Sequence, residues 1–243
     1  QQDVFHWSVV YRWQGTGDEN KWGRDPNRYR RFARSFFRMA KESQQPFFLM
    51  ASFPDPHHPF NPPGKYWDLY RPEDFSVPLP YEAHRNPTPP MRNIHDAWKS
   101  NATLVSPQTA TMATERQLQE AMALSAGMIG MIDDAVGDIV AALRDTGRYD
   151  DTVICFTSDH GDYLGDFGLL LKGAMPFRSI THVPMIWSDP ADRTAKTTDA
   201  LSSTIDLPAT ILARAGVARL RLAPERHEGH VDDVVRHRVA PAR

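Results

Sequence analysis

The chain has 243 residues, 41% hydrophobic and 24% charged, and 28 Lys+Arg against 30 Asp+Glu leave a net charge of −2. That composition excludes wholesale disorder and a fibre, and the near-neutral charge speaks against nucleic acid as a partner. No apolar run reaches the roughly eighteen residues that a membrane span needs, and the single cysteine, Cys155, excludes an internal disulfide and a multi-cysteine zinc site.

The sequence opens on Gln1 rather than Met, and Gln1–Phe5 has no signal-peptide pattern. The expectation is a fragment whose upstream part would have carried any address; the compartment stays open, cytoplasmic or periplasmic for a bacterial protein. Residues 1–28, with Trp7, Trp13 and Trp22, have no clean period and read as irregular. From Tyr29 to Glu42, Phe32, Phe36, Met39 and Ala40 recur at helical spacing. Pro46 then opens Phe47–Phe53, an apolar, aromatic-rich run of strand length. Eleven of the 20 prolines lie between Pro54 and Pro90, a density that helices and central strands do not tolerate, so 54–110 is expected to be an ordered, irregular loop region.

The strongest periodicity runs from Thr114 to Arg144. Leu118, Met122, Ser125, Ile129, Ile132, Val136, Ile139 and Leu143 step by four and three, which predicts an amphipathic helix of about eight turns. Gly127, Gly130 and Gly137 each cost roughly 1 kcal/mol against alanine in such a helix, so close backbone packing is expected at them. Thr152–Thr157 and Val183–Trp187 read as buried strands. Asp206 reads as an N-cap, with Pro208 in the first turn and Gly216 as the stop. Helices alternating with buried strands predict an α/β sandwich with a largely parallel sheet flanked by helices, spanning 1–217. Residues 218–243 hold six Arg and three His but no aromatic residue, and read as a disordered or frame-shifted tail.

Ligands in open α/β sheets collect beyond the carboxyl ends of the strands, and two predicted strands run there into polar clusters. The first yields Phe53-Pro54-Asp55-Pro56-His57-His58-Pro59-Phe60; the second yields Thr157-Ser158-Asp159-His160-Gly161-Asp162, with Lys172 thirteen residues after Asp159. Asp159 offers a hard anionic oxygen and His160 an imidazole nitrogen, and both can reach one cation if the backbone turns at Gly161. A strand-end Asp that merely accepts backbone hydrogen bonds is the plainer alternative. Lys172, delivered by Leu169-Leu170-Leu171 and followed by Gly173, suits an anionic oxygen. His57 and His58, held among prolines, have little backbone freedom and fit preset donors.

Together these segments resemble the sulfatases of the alkaline phosphatase superfamily. Phe47-Phe48-Leu49 through His57-His58-Pro59-Phe60 is similar to that family's strand-plus-histidine segment, Ile132-Asp133-Asp134-Ala135-Val136-Gly137 to its long-helix signature, and Thr157–Asp166 with Lys172 and His182-Val183-Pro184 to its C-terminal block. The resemblance covers Pro46 to Gly216. It implies a metal-dependent sulfuric ester hydrolase acting on a small-molecule sulfate monoester. Alternatives on the same scaffold are a phosphonate monoester or phosphodiester hydrolase and a non-catalytic anion- or metal-binding module. It further implies Asp159 and His160 as metal ligands, and His57 and Lys172 as catalytic groups on the sulfate or its leaving oxygen, with His58 the second choice for the histidine. Ca²⁺ is the metal expected, with Mn²⁺ or Zn²⁺ open because His160 takes the place of the commoner Asn.

The family's nucleophile is a formylglycine made in a Cys/Ser-x-Pro-x-Arg segment, and this sequence has none. It is expected upstream, so this chain alone should not turn over. Cys155 lies inside a predicted strand and reads as core. Thr88-Pro89-Pro90-Met91-Arg92 imitates the spacing but is expected to have no helix behind it. Lys21-Trp22-Gly23 reads as structural, Phe167 stands where many relatives have a histidine, and His182 is expected to cap or pack at a strand start. Oligomeric state is not readable.

Overall fold

The computed structural model describes residues 5–6, 26–43, 46–102 and 110–216, with side chains described for 34–42, 46–102 and 110–216. Trp7, Trp13, Lys21–Gly23 and the tail 218–243 lie outside the described residues. Two compact units divide the chain, Gln1–Thr194 and Ala195–Arg243.

In the first unit a short strand β1 (Phe5–His6) pairs in parallel with β2 (Phe47–Phe48), Phe5 opposite Phe47. Between them lies α1 (Pro26–Ser43), which starts at a proline, the residue whose missing N–H is harmless in a first turn. Its buried stripe is Phe36, Phe37 and Ala40, packed with Ala142 and Leu143, while Met39 is 46% exposed. Phe37, absent from the predicted set, sits 100° from Phe36 on the same side; Met39 points away. The strand predicted over Phe47–Phe53 closes after Phe48, because the ladder with β1 covers only two residues and Met50 is exposed.

The proline-rich region is ordered, as expected, and is built from 3-10 turns at Gly64–Tyr66, Pro72–Asp74 and Tyr81–Ala83 followed by α2 (Pro89–Lys99). That helix corrects the expectation that nothing helical follows Thr88. Thr88 takes the N-cap position, and Pro89 and Pro90 occupy first-turn positions that need no N–H donor. Met91 is buried and Arg92 donates to the Pro87 carbonyl, so this segment is structural.

The axis of the unit is α3 (Glu115–Asp145). Thr114 caps it: the Gln117 N–H donates to Thr114 Oγ1 at 3.3 Å and the Thr114 N–H to Gln117 Oε1 at 2.9 Å. Leu118, Met122, Ser125, Ile132 and Leu143 are buried as the periodicity predicts, and a second row at Ala121, Met128, Ala135 and Ala142 is buried beside them. Ile129, expected in the stripe, is 52% exposed. A Cβ at Gly127 would run into the Tyr66 carbonyl, and one at Gly130 would come within 2.9 Å of Leu69 Cδ2, so both seat the 64–70 segment on the helix. Gly137 meets nothing within 4 Å, and its predicted close contact does not exist. Asp134 completes the seat, accepting from Lys65 Nζ at 2.7 Å and from the Tyr66 hydroxyl at 2.6 Å, two donors that hold its carboxyl below the usual range.

Strand β3 (Thr111–Met112) pairs antiparallel with β5 (Leu169–Leu170), and β4 (Ile154–Thr157) antiparallel with β6 (Met185–Ser188), Cys155 opposite Trp187. The described strands thus form one parallel and two antiparallel ladders. Between β5 and β6 lies the one-turn α4 (Arg178–Thr181). The Arg193 guanidinium ties this end together, donating to the Tyr149 and Thr152 carbonyls at 2.7 and 3.0 Å while stacked over the Tyr149 ring. In the second unit, α5 (Asp206–Arg214) begins at Asp206 itself rather than after it. The carboxylate turns back to accept from the Ser203 N–H at 2.8 Å, and Gly216 at φ +68° follows the helix end.

Candidate active site

β4 delivers its last residue, Thr157, directly into Ser158-Asp159-His160-Gly161-Asp162. Asp159 Oδ1 accepts the His160 N–H at 2.8 Å and lies 3.3 Å from the Ser158 hydroxyl. Partial burial penalises the Asp159 charge, but those donors and the His160 ring outweigh it and hold the carboxyl below its ordinary range. His160 Nδ1 is 2.8 Å from the Gly161 carbonyl, which can only accept, so Nδ1 carries the proton and Nε2 keeps its lone pair in the neutral ring. Nε2 and Asp159 Oδ2 are 3.7 Å apart.

Gly161 is held by its N–H on the Ile180 carbonyl at 2.9 Å, and a Cβ there would run into the Ser179 carbonyl. Its φ is not left-handed, so the site needs glycine for close approach to α4 rather than for the turn predicted from sequence. The chain then folds back: the Tyr163 N–H donates to the Leu171 carbonyl at 2.8 Å, which sets Asp162 beside Lys172. Lys172 Nζ lies 3.9 Å from Asp162 Oδ1, with 23% and 12% of the two side chains exposed. Three non-glycine residues in this hairpin, Leu164, Phe167 and Leu171, have φ of +39°, +56° and +66°, strain of about 1–3 kcal/mol each that surrounding packing must offset.

His57 and His58 enter from the loop after β2, flanked by the cis Asp55–Pro56 and His58–Pro59 bonds. Their rings stack at 4.1 Å. His57 is exposed; its N–H donates to the Pro54 carbonyl at 3.1 Å and its Nδ1 is 2.6 Å from the His58 carbonyl, a bond that does not involve Nε2. His58 is half-buried, and its Nδ1 is buried without a hydrogen-bond partner. Burial, His57 and Lys172 together push its pKa down, and Asp162 pulls the other way. Residues over a hundred positions apart in sequence thus share one electrostatic neighbourhood: His57, His58, Asp162 and Lys172. Asp159 and His160 form a second cluster on the same loop, joined to it through Gly161.

Asp162 is the member the sequence reading passed over. Its signal was present, since an acidic residue ten positions before a lysine across an apolar turn is hairpin spacing. Phe167 packs with His84 and Phe177 at 4.8 and 5.0 Å, and His182 caps α4 through its N–H on Arg178. Cys155 lies in β4 as expected, half-buried, and burial pushes its thiol pKa up, the opposite of an activated nucleophile.

A lysine, two stacked histidines and the carboxylates of Asp159 and Asp162 thus lie on the segments around the end of β4. The chain belongs to the sulfatase family, whose profile matches residues 3–217. It is 33% identical over 190 residues to the multifunctional alkaline phosphatase superfamily protein PehA of Trinickia caryophylli, covering 71% of this chain and 34% of that protein. Against an arylsulfatase of Clostridium perfringens it is 29% identical, over 75% of this chain and 36% of the relative. The crystal structure of a phosphonate monoester hydrolase of Agrobacterium radiobacter aligns with a TM-score of 0.65 at 29% identity, over 82% of this chain and 40% of that one. The fold class is therefore the alkaline-phosphatase-like α/β arrangement. This chain spans about a third of the length of the curated relatives it matches. Family membership carries with it a general expectation of a metal and a formylglycine. Among the described residues, no group of three or more His, Cys, Asp or Glu could hold a metal ion, and no helix is long and apolar enough to cross a membrane.

Proposed function

We propose that this chain supplies the oxyanion-binding part of a sulfate monoester hydrolase. The observation that carries the reading is the ion pair of Lys172 with Asp162 lying within the field of His58. Lys172 Nζ donates to a sulfate oxygen. His57 has its Nδ1 proton committed to the His58 carbonyl, so in the imidazolium form its Nε2–H is the proton that can pass to the leaving oxygen, after which Nε2 keeps the lone pair. Phosphonate monoesters are the second reading, supported by the likeness to the Agrobacterium radiobacter hydrolase; they present the same anionic oxygens.

Asp159 and His160 fit a divalent metal as far as they go. The free lone pair on His160 Nε2 and the Asp159 oxygen, 3.7 Å apart, can both contact one ion at ordinary bond lengths of about 2.0–2.6 Å. Two donors make part of a site. A carboxylate is hard enough for Ca²⁺, and the imidazole suits Mn²⁺ or Zn²⁺. When bound, such an ion would add positive charge to the oxyanion region and polarise it.

Isothermal titration of this chain with inorganic sulfate tests the reading. Binding that weakens about tenfold in Lys172→Ala is expected, on the scale of one charge-assisted hydrogen bond. Binding that Lys172→Ala leaves unchanged contradicts it. p-Nitrophenyl sulfate is expected to compete for the site without being hydrolysed, since no Cys/Ser-x-Pro-x-Arg segment is present in this sequence.

The site also has a defined pH response. Burial and the neighbouring charges of His57 and Lys172 disfavour the His58 imidazolium, Asp162 favours it, and a bound sulfate favours it further. Sulfate binding therefore takes up a proton, and affinity is expected to rise as pH falls from neutral to below the ordinary histidine range. Titrations across that range in wild type and His58→Asn check the sign: the variant's profile should be flatter, and an affinity that falls on acidification would refute the placement of His58 beside the anion.

A further inference from the structure

The carboxylate of Asp162 is unusual company for an anion site. Its side chain is only 12% exposed, its Oδ1 is buried without a hydrogen-bond partner, and the nearest cation is Lys172 at 3.9 Å. That distance is too long for a hydrogen bond and short enough for strong charge coupling. The backbone leaves Asp162 little choice of position. Gly161 is held on the Ile180 carbonyl before it and Tyr163 on the Leu171 carbonyl after it. Lys172 and Asp162 both act electrostatically on His58, whose buried Nδ1 also has no hydrogen-bond partner. A fixed carboxylate, a lysine and a histidine are thus gathered with two buried polar atoms unused.

We propose that Asp162 is the resting counter-ion of Lys172, a positioning residue that holds the ammonium in the cradle and cancels its charge until an incoming oxyanion draws it across. This rests on the oxyanion reading above and assigns to that site a built-in competitor. The competitor costs affinity for every anion, so a bare inorganic anion with no other contacts is held weakly. An ester with an organic group gains further contacts with the walls of the site and can displace the pair. Asp162 touches Lys172, not the substrate.

Six proteins separate the possibilities in one set of titrations with inorganic sulfate: wild type, Asp162→Asn, Asp162→Glu, Asp162→Ser, Lys172→Ala and the Asp162→Asn/Lys172→Ala double variant. Asp162→Asn keeps the shape and removes the charge, and is expected to bind sulfate about tenfold more tightly. Asp162→Glu, which restores the charge, should bind close to wild type. Asp162→Ser removes the charge with a smaller side chain and should tighten binding in the same way, should the Asn variant fold poorly. In the Asp162→Asn/Lys172→Ala double variant the gain should vanish, because the carboxylate acts through the lysine. If Lys172→Ala weakens binding while Asp162→Asn is unchanged or weaker, the counter-ion assignment is overturned and the cradle stands. If sulfate binding ignores Lys172, the cradle falls and the assignment with it.

Discussion

Gly161→Ala is expected to lower the stability of the first unit by about 3 kcal/mol or more, and its melting temperature by on the order of 10 °C. The added methyl has nowhere to go: the atom it meets is the backbone carbonyl of Ser179, in α4, and not the movable end of a side chain. Relieving the overlap must separate the Asp159–Asp162 turn from α4, which also breaks the bond from the Gly161 N–H to the Ile180 carbonyl. Because Asp159, His160 and Asp162 all hang on that turn, sulfate binding should be lost along with stability. Gly137→Ala is the control. That glycine is exposed in the interior of α3 with open space around it, so alanine should be neutral or add up to about 1 kcal/mol. Thermal melts of both variants give the answer; equal stabilities for Gly161→Ala and wild type would show the turn is not pressed against α4.

The second large effect lies one turn of chain further on. Tyr163 is 1% exposed, and its hydroxyl both donates to the Met175 carbonyl at 3.0 Å and accepts the Met175 N–H at 3.1 Å. Tyr163→Phe keeps the ring against Phe177 and strands the Met175 N–H, while the Met175 carbonyl keeps the Phe177 N–H at 2.9 Å, so a loss of about 1–3 kcal/mol is expected in urea unfolding. The backbone bond from Tyr163 to Leu171 does not involve the ring and should survive. Sulfate affinity, measured well below the unfolding range, should then stay near wild type. A loss under about 0.5 kcal/mol would mean water or a shifted Met175 satisfies that N–H.

The elements that were legible from sequence are those whose signal is local. The capped, strictly periodic α3 was predicted to within one residue at each end, because Thr114 and the four–three stepping of its apolar residues need no tertiary information. The β4 and β6 segments were legible from their apolar runs, but not that they pair with each other antiparallel, since register and direction depend on distant chain. Helix α2 was missed because two prolines look like breakers unless they are recognised as first-turn residues. Met39 and Ile129 were expected inside and are exposed, since periodicity marks an apolar face without saying what covers it.

The candidate site divides in the same way. Asp159, His160, Lys172 and the histidine pair were legible as strand-end polar clusters. That Lys172 and His58 share a neighbourhood was not, because it depends on the 161–172 hairpin and on where the proline-rich loop comes to rest. Asp162 stood in plain view beside His160, but only the fold-back that brings Leu171 onto Tyr163 gives it a partner.

The most direct test is to add inorganic sulfate to isotope-labelled chain and follow the histidine rings and lysine ammonium groups by NMR. The account predicts that His57, His58 and Lys172 respond together and saturate with one common affinity. Sulfate that saturates elsewhere while these three resonances stay still would contradict it.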